Sequence, residues 1–280
     1  MKRRTTEHRL LRCDAPRRPG RDARLYRPGI HTAFRARRRP APLRRLGSPA
    51  LLIFFLKGLH LEIDIQSLPP ADQYRLISST VVPRPIALIT TYSERTGHNA
   101  APFSFFNAMG ENPPVLAIGL EDKRGSGDLK DTTINIKQTG EFVVHLVDEA
   151  LAAAMNVCAI GFPPDVSEIE QAGLTLTPSS KIKPQRIVQA PVAFECRKIA
   201  MIEVNPHRHI TLGEVVRMHV RDGLFDMATG YIDPDKYHPI GRMFGRLYTQ
   251  TRQHFEMEVP DYEAWLAGNG ATIKSSGGMD

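Results

Sequence analysis

The feature that most constrains the fold is a pair of long extended segments with almost no chain between them. Val192–Val204 and His209–Val220 are strand-like in composition and are joined by residues 205–208 alone. A connection this short can join antiparallel strands only, because parallel strands need a crossover of a dozen or more residues. The sequence therefore predicts an antiparallel sheet rather than a regular alternation of strands and helices.

Shorter segments of both kinds surround this pair. The predicted strands are rich in β-branched or aromatic residues and lie at Val81–Thr91, Asn99–Phe106, Val115–Leu120, Glu141–Val147, Gly223–Asp226 and Gly241–Tyr248. The predicted helices have capping or breaking residues at their ends and lie at Pro69–Ile77, Gly127–Gln138, Asp148–Ala159 (with Asp148 as N-cap) and, as a single turn, Ser167–Gln171. The chain has no GxGxxG or GxxxxGK[ST] motif, so a small, partly open β-barrel with a few flanking helices is the simplest prediction.

Charge divides the chain into two parts. Residues 1–60 hold 17 of the 37 Lys and Arg against three acids, a net charge of +14, whereas the remainder has a net charge of −7. The first part is also rich in Pro and lacks periodicity, so we expect a disordered extension. Such an arm can bind nucleic acid or act as a transit peptide, but we favour a segment that is dispensable for the core activity. We expect the folded domain at 61–260 and a C-terminal tail at 261–280.

The cysteines and the apolar runs bear on the cellular location. Cys13, Cys158 and Cys196 form no CxxC pair, which is typical of a reducing compartment and argues against disulfides or a zinc site. The longest apolar run, Ala50–Leu56, is far shorter than the roughly 20 residues that cross a bilayer. We therefore expect a cytoplasmic protein with no metal site and no membrane association. Motifs for hydrolysis, such as HExxH, are also absent from the sequence.

A series of short segments, in order, resembles the flavin reductase-like family with the FMN-binding split barrel. The series includes Pro83–Ala87, Asn99–Phe106, Lys130–Asn135, Gly213–Val216 and Ile240–Arg242. Each segment alone is unspecific, and it is their order along the chain that carries the resemblance. The resemblance implies a Greek-key split barrel, FMN as cofactor and a homodimer with flavin near the subunit interface. One departure is His145, at a position that is often Asn in this family.

The resemblance also implies where FMN binds. A phosphate needs a cation together with hydroxyl or N–H donors, ideally at a helix N-terminus, and Lys130, Asp131 and Thr132 supply such groups. Arg84, next to Pro85, can donate to the phosphate or to the carbonyl edge of the ring. The alternatives are a solvated helix charge for Lys130 and a surface ion pair for Arg84. The other candidates lie where two predicted strands meet, and they are Thr90, Thr91, Asn99, Ala100, Ala101, Phe103 and Ser104.

Local reasoning separates these candidates further. Because side chains alternate along a strand, one of Thr90 and Thr91 must face inward. Phe103 can stack on the ring, although a Phe is more often part of a core. His209 resembles a position near flavin or nicotinamide and is the candidate catalytic residue, the alternative being an ordinary strand histidine. His207 lies two residues away on the same face, but two histidines without a third ligand are poor evidence for a metal.

The predicted function is that of an FMN-binding oxidoreductase that takes hydride from NAD(P)H. The electrons would pass to a free flavin, a small electron acceptor or a partner oxygenase. Two alternatives are an FMN-binding electron carrier or flavin reservoir without NAD(P)H turnover, and a pyridoxamine-phosphate-oxidase-like enzyme, which the matched segments do not favour. The cofactor supplies the reactive atom in flavin chemistry, so the protein residues are expected to bind and position rather than to act as acid or base.

Overall fold

The structure is a computed structural model, and it describes residues 56–57, 60–123, 127–163 and 166–267. The basic extension predicted at 1–60 falls almost entirely outside the described residues, as does most of the tail predicted at 261–280. Both therefore stay predictions.

The strands are β1 (Leu56–Lys57), β2 (His60–Leu61), β3 (Ala87–Ser93), β4 (Gly97–Phe103), β5 (Phe106–Glu111), β6 (Pro114–Glu121), β7 (Glu141–Leu146), β8 (Leu176–Thr177), β9 (Arg186–Ile187), β10 (Val192–Asn205), β11 (Arg208–Val220), β12 (Ile240–Arg242) and β13 (Tyr248–Gln250). The helices are α1 (Pro70–Thr80), α2 (Asp131–Thr139), α3 (Ala152–Val157), α4 (Glu168–Gln171) and α5 (Tyr262–Ala267), with a 3-10 turn at Ile65–Ser67. Among the described residues, no helix is both long enough and apolar enough to cross a membrane.

The main sheet has the strand order β4-β3-β7-β10-β11-β6-β5, and each neighbouring pair is antiparallel. The long β10–β11 hairpin at its centre confirms the pairing predicted from the sequence. The two outermost strands, β4 and β5, are joined by Ser104 and Phe105 alone. A link this short reaches only about 10 Å, so the sheet must curl until its edges approach. The Phe105 carbonyl accepts the N–H of Gly119 in β6 at 2.7 Å, so the pairing of β5 with β6 continues into this link. The result is an antiparallel split barrel.

The barrel interior and its outer face carry separate apolar cores. The interior cluster includes Ile89, Phe103, Ile118 and Phe142, and Ile136 of α2 joins it where that helix packs on β3, β4 and β7. The outer cluster contains alternate residues of the same strands together with residues of α3 and α4. Strand β3 is therefore buried on both faces, which explains why its first three residues, Ala87–Ile89, are all apolar.

The structure corrects three predicted strands. Gly241–Tyr248 is divided into β12 and β13, which pair with each other in an antiparallel hairpin. The single segment Asn99–Phe106 is broken at Ser104 and Phe105, and its last residue begins β5, a strand that its polar and glycine-containing sequence did not indicate. Gly223–Asp226 forms no strand and contributes only an isolated bridge between Phe225 and Ile232.

Two predicted helices are shorter than expected. Helix α2 begins at Asp131, because residues 127–130 are irregular, and α3 begins at Ala152. Asp148 nevertheless has the predicted capping contact: its Oδ1 accepts the N–H of Leu151 at 3.0 Å within the turn that precedes α3.

Candidate functional site

The N-terminus of α2 lies beside the β3–β4 hairpin, and side-chain hydrogen bonds hold it there. The amide of Asn99 on β4 donates to Thr132 Oγ1 at 3.0 Å. One turn further along α2, the amide of Asn135 donates to Thr91 Oγ1 at 3.0 Å. Both threonine oxygens accept from an amide, so each hydroxyl keeps its own hydrogen for a further acceptor. Thr132 thus presents an oriented O–H at the start of the helix.

Several other donors converge at this helix end. The first N–H groups of α2, from Asp131 onward, have no acceptor within the helix, and the helix dipole makes this end favourable for an anion. Lys130 is the N-cap residue and makes no side-chain capping bond. Thr133 Oγ1 is buried and has no hydrogen-bond partner within the described part of the chain. A buried hydroxyl without a partner is costly unless something else fills its place.

Charged side chains surround the same helix end. Lys130 Nζ lies 3.5 Å from Glu121 Oε1, and Arg208 Nη1 lies 3.5 Å from Glu121 Oε2. Lys123 Nζ lies 3.2 Å from an oxygen of Asp131. These pairs are long and partly exposed, so each is worth about 0–1 kcal/mol at most. The cations can therefore change partner at little cost when a more strongly charged anion arrives.

The face of β4 that continues from Asn99 carries Ala101 and Phe103. Lys130 Nζ lies 5.0 Å from the centroid of the Phe103 ring, so cation and ring are in contact. Phe103 is itself buried in the interior core. The structure therefore brings together six of the sequence candidates around the N-terminus of α2: Thr91, Asn99, Ala101, Phe103, Lys130 and Thr132, with Asp131 beside them.

Thr90 and Ala100 lie on the other side of the sheet from Thr91 and Asn99, and their contact with a cofactor stays a prediction. Thr90 is paired with Ala100 and Thr91 with Asn99, so the two pairs face opposite sides. Thr90 Oγ1 donates to the carbonyl of Gln185 at 2.7 Å, and Ala100 packs in the outer core. The expectation that just one of the two threonines faces inward is confirmed, and that residue is Thr91.

Arg84 has a structural role that the sequence did not indicate. Its guanidinium donates to the carbonyls of Ser78 (2.5 Å) and Val81 (2.8 Å) at the end of α1, and to that of Met243 (2.7 Å). The side chain is buried, and burial lowers its pKa. Arg84 and its half-buried neighbour Pro85 therefore lie at the junction between α1 and the chain after β12, and their contact with a cofactor stays a prediction.

His209 is buried on β11. The residue is 1% exposed, because β11 turns it into the barrel, and Nε2 lies 3.4 Å from Lys137 Nζ and 3.4 Å from Glu203 Oε2. Its assignment as a catalytic residue stays a prediction, with a buried strand histidine as the alternative.

His145, the departure from the family pattern, holds the outer face together. Nδ1 donates to the Leu88 carbonyl at 2.8 Å and Nε2 accepts the N–H of Ile187 at 2.9 Å. Burial lowers the pKa of His145 to about 4, so the ring is neutral, as these two bonds require. The residue links β7 to β9 rather than contributing to the α2 end.

Ser104 and Phe105 form the seam of the barrel. Ser104 is half-buried, and the guanidinium carbons of Arg84 and Arg208 lie 5.7 Å and 6.0 Å from the Phe105 ring centroid. Sequence reasoning missed Glu121 and Arg208, which face each other across β6 and β11. It also gave no role to Thr133 and Asn135, and for Asn135 the helical spacing of three residues from Thr132 was the available signal.

The curled antiparallel sheet with α2 packed against it is the split-barrel architecture found in flavin reductases. The chain belongs to the flavin reductase-like family, since the family described as flavin reductase like domain matches residues 78–241. An uncharacterized protein of Deinococcus radiodurans is 39% identical over 212 residues, which cover 74% of this chain and 92% of the relative.

Two solved structures are also similar. The 2-nitrobenzoate 2-nitroreductase NbaA of Pseudomonas fluorescens is 36% identical with a TM-score of 0.66, and the match covers 77% of this chain and all of that one. Component B of nitrilotriacetate monooxygenase from Bacillus cereus is 33% identical with a TM-score of 0.67, and the match covers 72% of this chain and all of that one. Both relatives are named for redox reactions.

Proposed function

We propose that the protein binds FMN at the N-terminus of α2 and transfers hydride from NAD(P)H to it. The observation that carries the proposal is that Lys130, the Thr132 hydroxyl and the first N–H groups of α2, which have no acceptor within the helix, all belong to the N-terminus of α2, next to Asn99. A doubly charged phosphate is the ligand that matches this set of donors. The family supports a flavin, and the phosphate donors favour FMN over riboflavin.

The residues present fit this cofactor. The buried Thr133 hydroxyl has no hydrogen-bond partner within the described part of the chain, and the first N–H groups of α2 have no acceptor within the helix. A phosphate oxygen can accept from both kinds of donor. The small side chain of Ala101 leaves backbone accessible for the close approach of a flat ring, and Phe103 and Lys130 border it. The weak ion pairs of Lys130 and Arg208 with Glu121 allow both cations to turn toward a phosphate.

When bound, FMN supplies the atom that accepts hydride and passes electrons on. The chain's own residues have three tasks. Lys130 and Thr132 fix the phosphate, Asn99 fixes Thr132, and Asn135 together with Thr91 fixes α2 on the sheet. Phe103 and the interior core exclude water from one side of the site. None of these residues needs to move a proton, so we expect catalysis to depend on positioning spread over several contacts.

The names of the relatives suggest the electron acceptors. One similar protein is a nitroreductase and another is a monooxygenase component. We propose that reduced flavin in this protein serves a small oxidant or a partner oxygenase, and that the protein works as a homodimer.

Anaerobic mixing with NADH and with NADPH tests the proposal. The purified full chain should take up FMN, become yellow and lose the oxidised-flavin absorbance within seconds of mixing. Riboflavin should bind more weakly under the same conditions. A protein that stays colourless with added FMN would overturn the proposal, whereas one that binds FMN but stays oxidised with both nucleotides would be the electron carrier considered from the sequence.

A further inference from the structure

The chain after β13 has the sequence of an amphipathic strand but pairs with none of the described strands. Phe255, Met257 and Val259 alternate with Glu256 and Glu258, the two-residue period of a half-buried strand. In the structure this stretch has no regular secondary structure, and the three apolar side chains are 71%, 67% and 93% exposed. An alternating pattern of this kind is typical of a segment that covers an apolar surface.

The helix that follows continues the pattern. Tyr262, Trp265 and Leu266 of α5 are spaced to share one side of the helix, and all three are exposed. The base of the segment is fixed: Arg252 donates to both oxygens of Glu149 at 2.8 Å and 2.6 Å. We call residues 253–267 the C-terminal arm. It is firmly attached at one end and has its apolar side chains in solvent.

An open groove of about 610 Å³ on the barrel has the complementary properties. Its lining comes from β5, β6, β10 and β11, with apolar side chains predominating, and includes Ala108, Val115, Phe194, Val216, Arg217 and Met218. Strand β5 is the last strand of the sheet, so its outer edge has no strand partner among the described strands. A free edge beside an apolar groove is the arrangement that binds an added strand.

The charges of the two surfaces match as well. Arg217 makes no ion pair with any described residue, nor do Glu256 and Glu258. Both the arm and the groove are open in one and the same chain, so the arm does not fill the groove of its own chain. In a two-fold dimer each arm can occupy the groove of the other copy, so that both arms and both grooves are removed from solvent.

We propose that the C-terminal arm of one copy docks in the groove beside β5 of a second copy, with Phe255, Met257 and Val259 facing the groove and the two glutamates near Arg217. The proposal rests on the proposed homodimer and is independent of the flavin chemistry. It makes the arm the part of the chain that holds the two subunits together.

Cysteine cross-linking tests the contact directly. Two chains, both in a Cys13→Ser background, carry Val259→Cys and Ala108→Cys separately, bear different tags and are co-expressed. Cys158 and Cys196 are buried and do not interfere. Mild oxidation should give a reducible product containing both tags. Met227→Cys, on a side chain that is 86% exposed, replaces Val259→Cys as the matched control and should give none. Absence of the mixed product from a protein that sediments as a dimer would overturn the proposal.

Variants of the full chain test the energetics. Phe255→Asp with Met257→Asp should raise the dimer dissociation constant at least about tenfold, as expected for loss of apolar anchors, whereas Met227→Asp should not. Arg217→Glu should weaken the dimer, and Glu256→Arg with Glu258→Arg should restore it. Circular dichroism confirms folding, and FMN uptake by the same variants separates this proposal from the flavin assignment. If none of these substitutions changes the dimer dissociation constant, the arm does not dock in the groove.

Discussion

The amide nitrogen of Asn99 lies 3.0 Å from Thr132 Oγ1, so strand β4 and the first turn of α2 are tied together by their side chains. The bond decides the direction of the Thr132 hydroxyl hydrogen, since an oxygen that accepts from Asn99 must donate elsewhere. Asn99 therefore acts on the proposed phosphate site through another residue, and we class it as a positioning residue.

Replacement of Asn99 tests this relationship. Asn99→Ala should weaken FMN binding about tenfold, roughly 1.4 kcal/mol, because the Thr132 hydroxyl loses its orientation. Asn99→Asp should weaken it further, since a carboxylate takes the hydroxyl hydrogen and adds a negative charge near the phosphate. Flavin fluorescence titration measures both. Asn156→Ala, an exposed asparagine on α3, is the control. Equal FMN affinity in all four proteins would remove Asn99 from the site.

Lys130 should discriminate between phosphorylated and unphosphorylated flavin. Lys130→Gln should lower the affinity for FMN about tenfold and leave that for riboflavin almost unchanged, because just the phosphate needs the cation. The salt dependence of FMN binding should become shallower. Lys137→Gln, on the same helix but at its other end, should alter neither affinity. If Lys130→Gln lowers both affinities alike, the lysine contacts the ring and not the phosphate.

The sequence predicted the fold well because antiparallel pairing follows from short connections and alternation. The β10–β11 hairpin and the opposite directions of Thr90 and Thr91 are consequences of such local rules. The pairing of Glu121 with Arg208 depends on register between strands far apart in the chain, and no local pattern specifies it. The carbonyl partners of Arg84 and the burial of His209 could not be predicted for the same reason: residue type indicates which bonds a side chain can make, whereas the partners come from tertiary structure.

His145 predicts how stability depends on pH. In the unfolded chain a histidine has a pKa of about 6.5, and in the folded protein burial lowers the pKa of His145 to about 4. Between these values the unfolded state binds more protons, so the stabilisation is fully present above pH 6.5 and is lost as the pH falls toward 4. The total change attributable to this group is about 3 kcal/mol.

Urea unfolding of wild type and His145→Asn at several pH values measures this change. The variant should be less stable at pH 7, because the bonds to Leu88 and Ile187 are altered, but its stability should fall less steeply between pH 6.5 and pH 4.5. Burial also lowers the pKa of His98, which both proteins share, so the difference between the curves isolates His145. His254→Asn, at an exposed position, should reproduce the wild-type curve. Parallel curves for wild type and His145→Asn would contradict the neutral, bridging histidine.

Gly213 predicts a steric limit inside the barrel. A Cβ at this position of β11 would lie 2.4 Å from Cζ of Phe142 and 3.4 Å from Cβ of Cys196, so the ring of Phe142 occupies the space that any other residue needs. Gly213→Ala should destabilise the protein by about 1–3 kcal/mol, the usual cost of overpacking a core. Gly161→Ala, where a Cβ meets nothing within 4 Å, is the matched control and should cost little.

The double variant Gly213→Ala with Phe142→Leu should recover part of the loss, since a leucine vacates the region of Cζ. Urea midpoints measure wild type, these three variants and the single variant Phe142→Leu, and additive losses in the double variant would show that the two side chains do not compete for the same space.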